Sequence, residues 1–255
     1  MIIDTHTHYD DARYESDRDE LLLSLNDNGV ELVVEASARL EGCKATIELV
    51  NKYDFIYGML GIHPDEEMDL NDEVYEFIKN NLQNKKIVSI GEIGLDYYGK
   101  EKNKDLQKEW FTKFIKLSNE QNMPINVHSR DALCDTLNII SNNKTGEGSG
   151  IIHCFSYSID AARKFVDMGY LLGIGGVVTF KNGKVLKDVV KEIDITKLVL
   201  ETDCPYLSPE PYRGKRNNST YIRMVAAAIS DIKMMDINDV IKITNENAKR
   251  VYRIK

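Results

Sequence analysis

Short apolar runs rich in β-branched residues recur along the chain at 1–5, 31–36, 55–62, 87–93, 124–128, 150–154, 170–175 and 197–202. Each has the length of a strand buried on both faces, where apolar residues run on instead of alternating with polar ones. Between the runs the period changes. Leu106, Trp110, Phe114 and Leu117, then Leu133, Leu137 and Ile140, and later Ile222, Val225, Ala226 and Ile229 mostly fall three or four apart, as on one face of a helix. Strand and helix therefore alternate from end to end, which calls for a parallel sheet. Eight such units in about 250 residues fit a closed (β/α)8 barrel better than an open doubly wound sheet, which is the alternative. No repeat, linker or long like-charge block interrupts the pattern, and loop-like composition is confined to 142–150 and 208–220. Residues 1–255 therefore read as a single domain.

Composition narrows the class. With 42% hydrophobic and 29% charged residues the chain is neither disordered nor membrane-spanning, since its apolar stretches fall short of the roughly 18 residues that a span needs. A net charge of -8 argues against coating a polyanion, yet leaves local phosphate binding open. Cys43, Cys134, Cys154 and Cys204 form no Cys-x-x-Cys pair, so they read as small core residues in a reducing compartment. The start, Met1-Ile2-Ile3-Asp4, lacks the basic-then-apolar order of a secretory signal and reads as a first strand. The expectation is a cytoplasmic protein with no membrane contact and no obligate protein partner.

The polar residues carry the chemistry. Every histidine falls at or just past the end of an expected strand: His6 and His8, His63, His128 and His153. Two acids interrupt apolar strands in the same way, Glu92 and Asp203. A buried carboxylate is costly unless a cation or hydrogen bonds compensate it. In an α/β barrel all strand ends converge on one mouth, so these residues meet. His6 and His8, two apart, share one face of an extended strand. His6, His8, His128 and His153 with the two carboxylates exceed what one tetrahedral ion uses, and a two-metal centre is the economical reading. Strand adjacency divides it: His6, His8 and Asp203 from strands one and eight, His128 and His153 from strands five and six, with Glu92 placed to bridge. Such mixed ligands suit zinc, manganese, iron, cobalt or nickel, and magnesium if waters complete the shell. The competing readings are a barrel with paired acids and histidines but no metal, and a barrel that only binds nucleic acid.

Asp4-Thr5-His6-Thr7-His8, Gly61-Ile62-His63-Pro64, Gly91-Glu92-Ile93-Gly94-Leu95-Asp96-Tyr97-Tyr98, Pro124-Ile125-Asn126-Val127-His128-Ser129-Arg130, His153-Cys154-Phe155-Ser156 and Glu201-Thr202-Asp203-Cys204-Pro205-Tyr206-Leu207 follow one another in this order. Together they resemble the signature blocks of the TatD family of metal-dependent deoxyribonucleases, and the likeness runs on through Arg213-Gly214-Lys215-Arg216-Asn217 to Asn247-Ala248. The resemblance implies a TIM barrel of the amidohydrolase-like, metal-dependent hydrolase group. It also implies His6, His8 and Asp203 on one divalent ion, His128 and His153 on the other, and Glu92 shared. The implied activity is hydrolysis of DNA phosphodiester bonds, as a 3′ to 5′ exonuclease on single-stranded ends. The alternative is an ester or amide hydrolase, such as a D-aminoacyl-tRNA deacylase, on the same platform. Two positions depart from the family pattern: Asp65 where many relatives carry a second histidine, and Ser219 where relatives often carry a proline opening a helix that a serine can instead cap.

Two divalent ions (Mg, Zn, Mn or similar) would polarise a phosphoryl oxygen and supply hydroxide, with Asp203 as proton acceptor and Glu92 as bridge, the catalytic pair. Glu201 serves either in direct chemistry or in holding Asp203. For substrate, His63 reads as a donor to phosphate, and Arg213, Lys215 and Arg216, the compact basic cluster after strand eight, as phosphate contacts away from the cut. Tyr97, Tyr98 and Phe155 are candidates for stacking on bases, with core packing accounting for at least one of them.

Overall fold

The computed structural model describes residues 1–99, 102–143, 145 and 150–255. Its strands are β1 (Ile2–Thr7), β2 (Val30–Ala36), β3 (Ile56–Leu60), β4 (Ile87–Asp96), β5 (Ile125–Arg130), β6 (Gly150–Ile152), β7 (Leu171–Ile174) and β8 (Leu198–Leu200). They pair in sequential order, each parallel to the next. The barrel closes where Thr7 bridges Cys204, the Asp203 N–H donating to His6 O at 3.0 Å and the His8 N–H to Cys204 O at 2.8 Å. Contact between the first and last strands is what separates the closed barrel from an open sheet.

All eight expected strands are present, and three run further than their apolar runs. β1 reaches Thr7, β4 reaches Asp96 and β5 reaches Arg130. The ladder is made by backbone groups, so Gly94 pairs with His128 and Asp96 with Arg130 although the side chains there are polar.

The helices are α1 (Arg18–Ser24), α2 (Leu40–Lys52), α3 (Asp72–Asn81), α4 (Lys104–Gln121), α5 (Leu133–Asn143), α6 (Ile159–Asp167), α7 (Lys184–Glu192), α8 (Ile222–Lys233) and α9 (Ile237–Tyr252). The three apolar patterns read from sequence lie in α4, α5 and α8. Asn71, Asn103, Ser158 and Asp236 cap α3, α4, α6 and α9, each side chain accepting from a first-turn N–H. Of the expected loop at 142–150, residues 144 and 146–149 lie outside the described residues. The 208–220 stretch is a loop that ends in a short turn, Ser219–Tyr221.

Two apolar layers form. One lies between strands and helices, where Val33, Ile56, Ile90 and Leu172 meet Leu22, Val50, Phe114 and Phe165. The other fills the barrel near the strand starts, where Ile3, Leu32, Val88, Ile151, Leu171 and Val199 pack with Ala248, Val251 and Tyr252 of α9. Among the cysteines, Cys43 and Cys204 are buried as expected, whereas Cys134 is exposed and Cys154 half-buried. Cys134 follows Leu133 at the start of α5, and Cys154 follows the last residues of a strand at the barrel mouth, so neither lies within an apolar layer. No helix among the described residues is long and apolar enough to cross a membrane.

Candidate metal centre

His6 and His8 project from the end of β1 toward a common point. The Asn126 amide is oriented by its Nδ2, which donates to the Tyr252 hydroxyl at 3.3 Å, so its Oδ1 accepts from His6 Nδ1 at 3.0 Å. His8 Nδ1 donates to the Ala36 carbonyl at 2.8 Å. With both protons held at Nδ1, both Nε2 lone pairs are free, and those atoms stand 3.1 Å apart. Two acceptors at that distance repel unless a proton or a cation lies between them, and imidazoles fixed through the far nitrogen are the arrangement that metal ligands use. The donor set therefore fits a divalent ion.

Glu92 lies in the middle of β4 and turns its two oxygens in different directions. Oε2 is 3.4 Å from His6 Nε2 and 3.6 Å from His8 Nε2. Oε1 is 2.8 Å from His128 Nδ1, 3.7 Å from His153 Nε2 and 3.8 Å from His63 Nε2. Asp203 Oδ1 lies 3.4 Å from His8 Nε2, 3.7 Å from His153 Nε2 and 4.0 Å from His6 Nε2. Asp203 takes a left-handed backbone (φ 55°), rare without glycine, and its N–H bond to His6 O pins that turn. Four overlapping groups of ligand atoms result: His6, His8 and Asp203; His63, Glu92 and His128; and two through His153, with His6 and Glu201 and with Cys154 and Asp203.

This differs from the division by strand adjacency in one respect. His153 stacks on His6 with ring centroids 3.5 Å apart and faces both carboxylates, so it stands between the groups rather than beside His128, whose ring is 6.3 Å away. The neighbour of His128 is His63, at 4.3 Å. Strand order hid this, because β3 lies next to β4, which supplies Glu92. The Asp65 N–H donates to His63 Nδ1 at 3.1 Å, leaving the proton on Nε2, so His63 points a donor into the site. Asp65 itself pairs with Lys102 at 2.5 Å.

Three acids that support these groups were not assigned their roles from sequence. Asp96 closes β4 and lies 3.2 Å from His128 Nε2 through Oδ2, while its Oδ1 accepts the Tyr98 N–H at 2.8 Å. Glu201 meets His153 instead of Asp203: its Oε1 accepts the Cys154 N–H at 2.6 Å and lies 3.1 Å from His153 Nδ1. It occupies space that Gly173 leaves open, where a Cβ would come within 2.2 Å of Oε2. Asp4, within β1, is buried, accepting from the Thr202 N–H (2.9 Å), the Thr202 hydroxyl (2.6 Å) and the Ser219 hydroxyl (2.6 Å). Ser219 is thus no helix cap; Asn218 serves there, its Oδ1 accepting from the Thr220 N–H at 2.9 Å. The signal for Asp96 and Asp4 was their spacing from Glu92 and His6 along the same strands.

The electrostatics follow from burial and crowding. Burial disfavours a charge on His8, but Asp203 and Glu92 outweigh it and lift the imidazole to about 10. The same opposition lifts His128, beside Asp96 and Glu92, and His153, beside Glu201, Asp203 and Glu92, each to about 9. Burial and the neighbouring His153 push His6 down. Burial and His128 push His63 down to about 4. Glu92 is held well below the usual carboxylate range by His153, His6 and His63 despite its burial. Protons thus gather where a cation would sit.

The centre forms the floor of a cavity of about 360 Å³ whose rim includes Asp10, Asp11, Arg39, Asp65, Glu66 and Arg130. Arg213, Lys215 and Arg216 do not line it. Arg216 makes a two-pronged pair with Asp17, Nη1 to Oδ1 at 2.8 Å, and covers the Tyr14 ring, which corrects its reading as a phosphate contact: its fork is already filled. Arg213 lies over Phe180 and Lys215 over Tyr212, both exposed. Phe155 is buried in the core, and the Tyr97 hydroxyl donates to Asp135 at 2.7 Å, so of the three aromatics Tyr98 alone is exposed.

Comparison with known proteins agrees with the site. The family described as TatD related DNase matches residues 3–253. The chain is 41% identical over its whole length to the whole of YabD of Bacillus subtilis, described as an uncharacterized metal-dependent hydrolase. It is 33% identical to YcfH of Escherichia coli, described in the same terms, over all of this chain and 96% of that one. Among solved structures, YjjV, a TatD homologue from E. coli, superposes with a TM-score of 0.94 at 25% identity, covering 100% of this chain and 98% of that one. The chain belongs to the family of TatD-related DNases, as a metal-dependent hydrolase built on a TIM barrel.

Proposed function

We propose that the protein hydrolyses phosphodiester bonds of DNA, removing nucleotides from single-stranded 3′ ends, with two divalent ions at the barrel mouth. The observation that carries this reading is the Glu92 carboxylate, whose separate oxygens face separate groups of ligand atoms, as a bridge between two ions requires. His6, His8 and Asp203 would hold one ion; His128 and Glu92 would hold the other, with His153 within reach of both. When bound, such ions polarise a phosphoryl oxygen and bring the pKa of water toward neutrality. Asp203, half-buried and facing the cavity, is placed to take the proton from attacking water on its carboxylate. His63 donates from Nε2 to a substrate oxygen. Asn126, Ala36 and Glu201 keep the imidazoles turned inward. Four free thiols suit a cytoplasmic setting.

A second reading rests on the carboxylates of the rim, Asp10, Asp11, Asp65 and Glu66, which would favour an ester bearing an ammonium group, as in an aminoacyl-tRNA. Metal-stripped protein reloaded with excess Zn, Mn or Mg and offered end-labelled single-stranded DNA and D-aminoacyl-tRNA side by side separates the two. Stepwise shortening of the DNA from its 3′ end is expected. Release of the amino acid with intact DNA would replace the first reading by the second.

A further inference from the structure

Several cations near the mouth already have partners. Arg13 is tied to Asp11, Lys102 to Asp65 and Arg216 to Asp17. Arg39 and Arg130, which line the cavity, have no carboxylate within ion-pair distance among the described residues, and the Arg130 guanidinium also lies 3.7 Å above the centre of the Tyr98 ring. The positions of Arg130 and Tyr98 follow from the fold. Arg130 ends β5, two residues beyond His128 and so on the same face of the strand. The Tyr97 N–H bonds the Arg130 carbonyl at 2.9 Å, and the next N–H, that of Tyr98, is held by Asp96, which also meets His128. The platform under the guanidinium is therefore fastened to the same carboxylate that holds a ligand of the candidate centre. Stacking uses the weakly hydrated face of a guanidinium and leaves its N–H edge free, the fork that matches phosphate.

Arg130 also stands where the mouth divides. Besides the first cavity, a second of about 370 Å³ opens on the side of β5 to β8 and shares His128, Arg130, His153, Asp203 and Tyr206 with it. The first carries the rim carboxylates Asp10, Asp11, Asp65 and Glu66; the second adds only Ser129, Cys154, Ser156 and Leu207, none of them acidic. An anionic chain crossing the mouth meets four rim carboxylates beside Arg39 and Arg130 in the first cavity, whereas in the second Arg130 stands with Asp203 as the one acid.

We propose that Arg130, carried on Tyr98, is the substrate-positioning residue of this hydrolase, binding the phosphate one nucleotide away from the bond that is cut and steering the strand into the cavity on the side of β5 to β8. The inference rests on the DNA reading above. It is tested with the metal-loaded enzyme and two dinucleotides, thymidylyl-(3′→5′)-thymidine with and without a 5′-phosphate, which differ only in that neighbouring phosphate. Wild-type enzyme should favour the phosphorylated form about tenfold or more, mainly through KM, as expected for loss of a hydrogen-bonded charged contact. Arg130→Ala should bring the ratio of the two close to one. Arg130→Lys, which keeps the charge without the fork, and Tyr98→Leu, which removes the platform, should fall between. A wild-type preference retained by Arg130→Ala, no preference in the wild type, or an equal fall in kcat on both substrates would each overturn the assignment while leaving the DNA reading standing. Failure of the wild type on both dinucleotides, with a chromogenic phosphodiester still cleaved, would overturn the DNA reading and this assignment with it.

Discussion

At the strand starts Ile3, Leu32, Val88, Ile151, Leu171 and Val199 enclose an apolar interior that α9 covers with Ala248, Val251 and Tyr252. A few residues further along the same strands and their loops, His6, His8, Glu92, His128, His153, Asp96 and Asp203 crowd imidazoles and carboxylates within a few ångströms. Burying apolar surface stabilises at about 25 cal/mol per Å², whereas burying charge is unfavourable until something neutralises it. The first end therefore offsets what the second costs. They meet at one side chain: the Tyr252 hydroxyl donates to Thr5 O at 3.0 Å and accepts from Asn126, whose other amide atom holds His6. The comparison teaches that chemistry and stability should separate by substitution at the two ends and be coupled along that thread.

The largest expected effect is at the mouth. Asp203→Asn should lower kcat by about 100-fold or more, because it removes a ligand charge and a proton acceptor together, with the melting temperature little changed. Near-normal turnover in fully metallated protein would break the assignment. At the other end, Leu171→Ala opens a cavity in the interior and should cost about 2–5 kcal/mol in denaturant unfolding while metal stoichiometry stays at the wild-type value. Should metal content fall in step with stability, the two ends are not separable.

The pH response sharpens the contrast. In metal-free protein His8, His128 and His153 are lifted from 6.5 to about 10, 9 and 9, so the folded state holds protons that the unfolded chain has released. Their contribution is complete below pH 6.5 and is lost as pH rises through 9 to 10. The buried Asp4, raised from 3.8 to about 7, acts in the same direction but earlier, its contribution being lost as pH rises to about 7, so the alkaline change belongs to the histidines. The metal-free melting temperature should therefore fall between neutral and alkaline pH, and excess divalent metal should flatten that fall by taking the place of the protons. A profile unaffected by metal would count against the centre. The smallest effect belongs to the thread itself: Tyr252→Phe leaves Thr5 O and the Asn126 amide short of a partner, costing about 1–3 kcal/mol and weakening metal affinity by about tenfold. Calorimetry of metal binding reads the second change, and unchanged affinity would detach Tyr252 from the site.

Much of this was legible from the chain. Eight apolar runs became eight strands, and the histidines and acids at their ends came together, because alternation of strand and helix admits few topologies and a barrel gathers its strand ends at one mouth. Within the basic cluster the sequence could not show that Arg216 is paired, because a run of cations says nothing about which carboxylate folds against it, and Asp17, almost 200 residues away, does so while Arg213 and Lys215 stay exposed. Arg130 attracted no attention by composition, because what distinguishes it is a ring from the loop after β4 under its guanidinium and, among the described residues, no carboxylate within ion-pair distance.

Sequence by itself determined the alternation of parallel strands with helices and which residue types face the mouth, since both follow from local periodicity and from the single direction of parallel strands, while closure rests on the contact of β1 with the residues after β8. Tertiary structure alone decided how those residues share the site. It set His63 beside His128 and His153 against His6, gave Glu201 to His153, and fastened His6 through Asn126 to the last helix. Periodicity reports the face on which a side chain lies, whereas ligand geometry depends on distances of a few ångströms between strands, set by register, side-chain torsions and the hydrogen bonds that hold each ring.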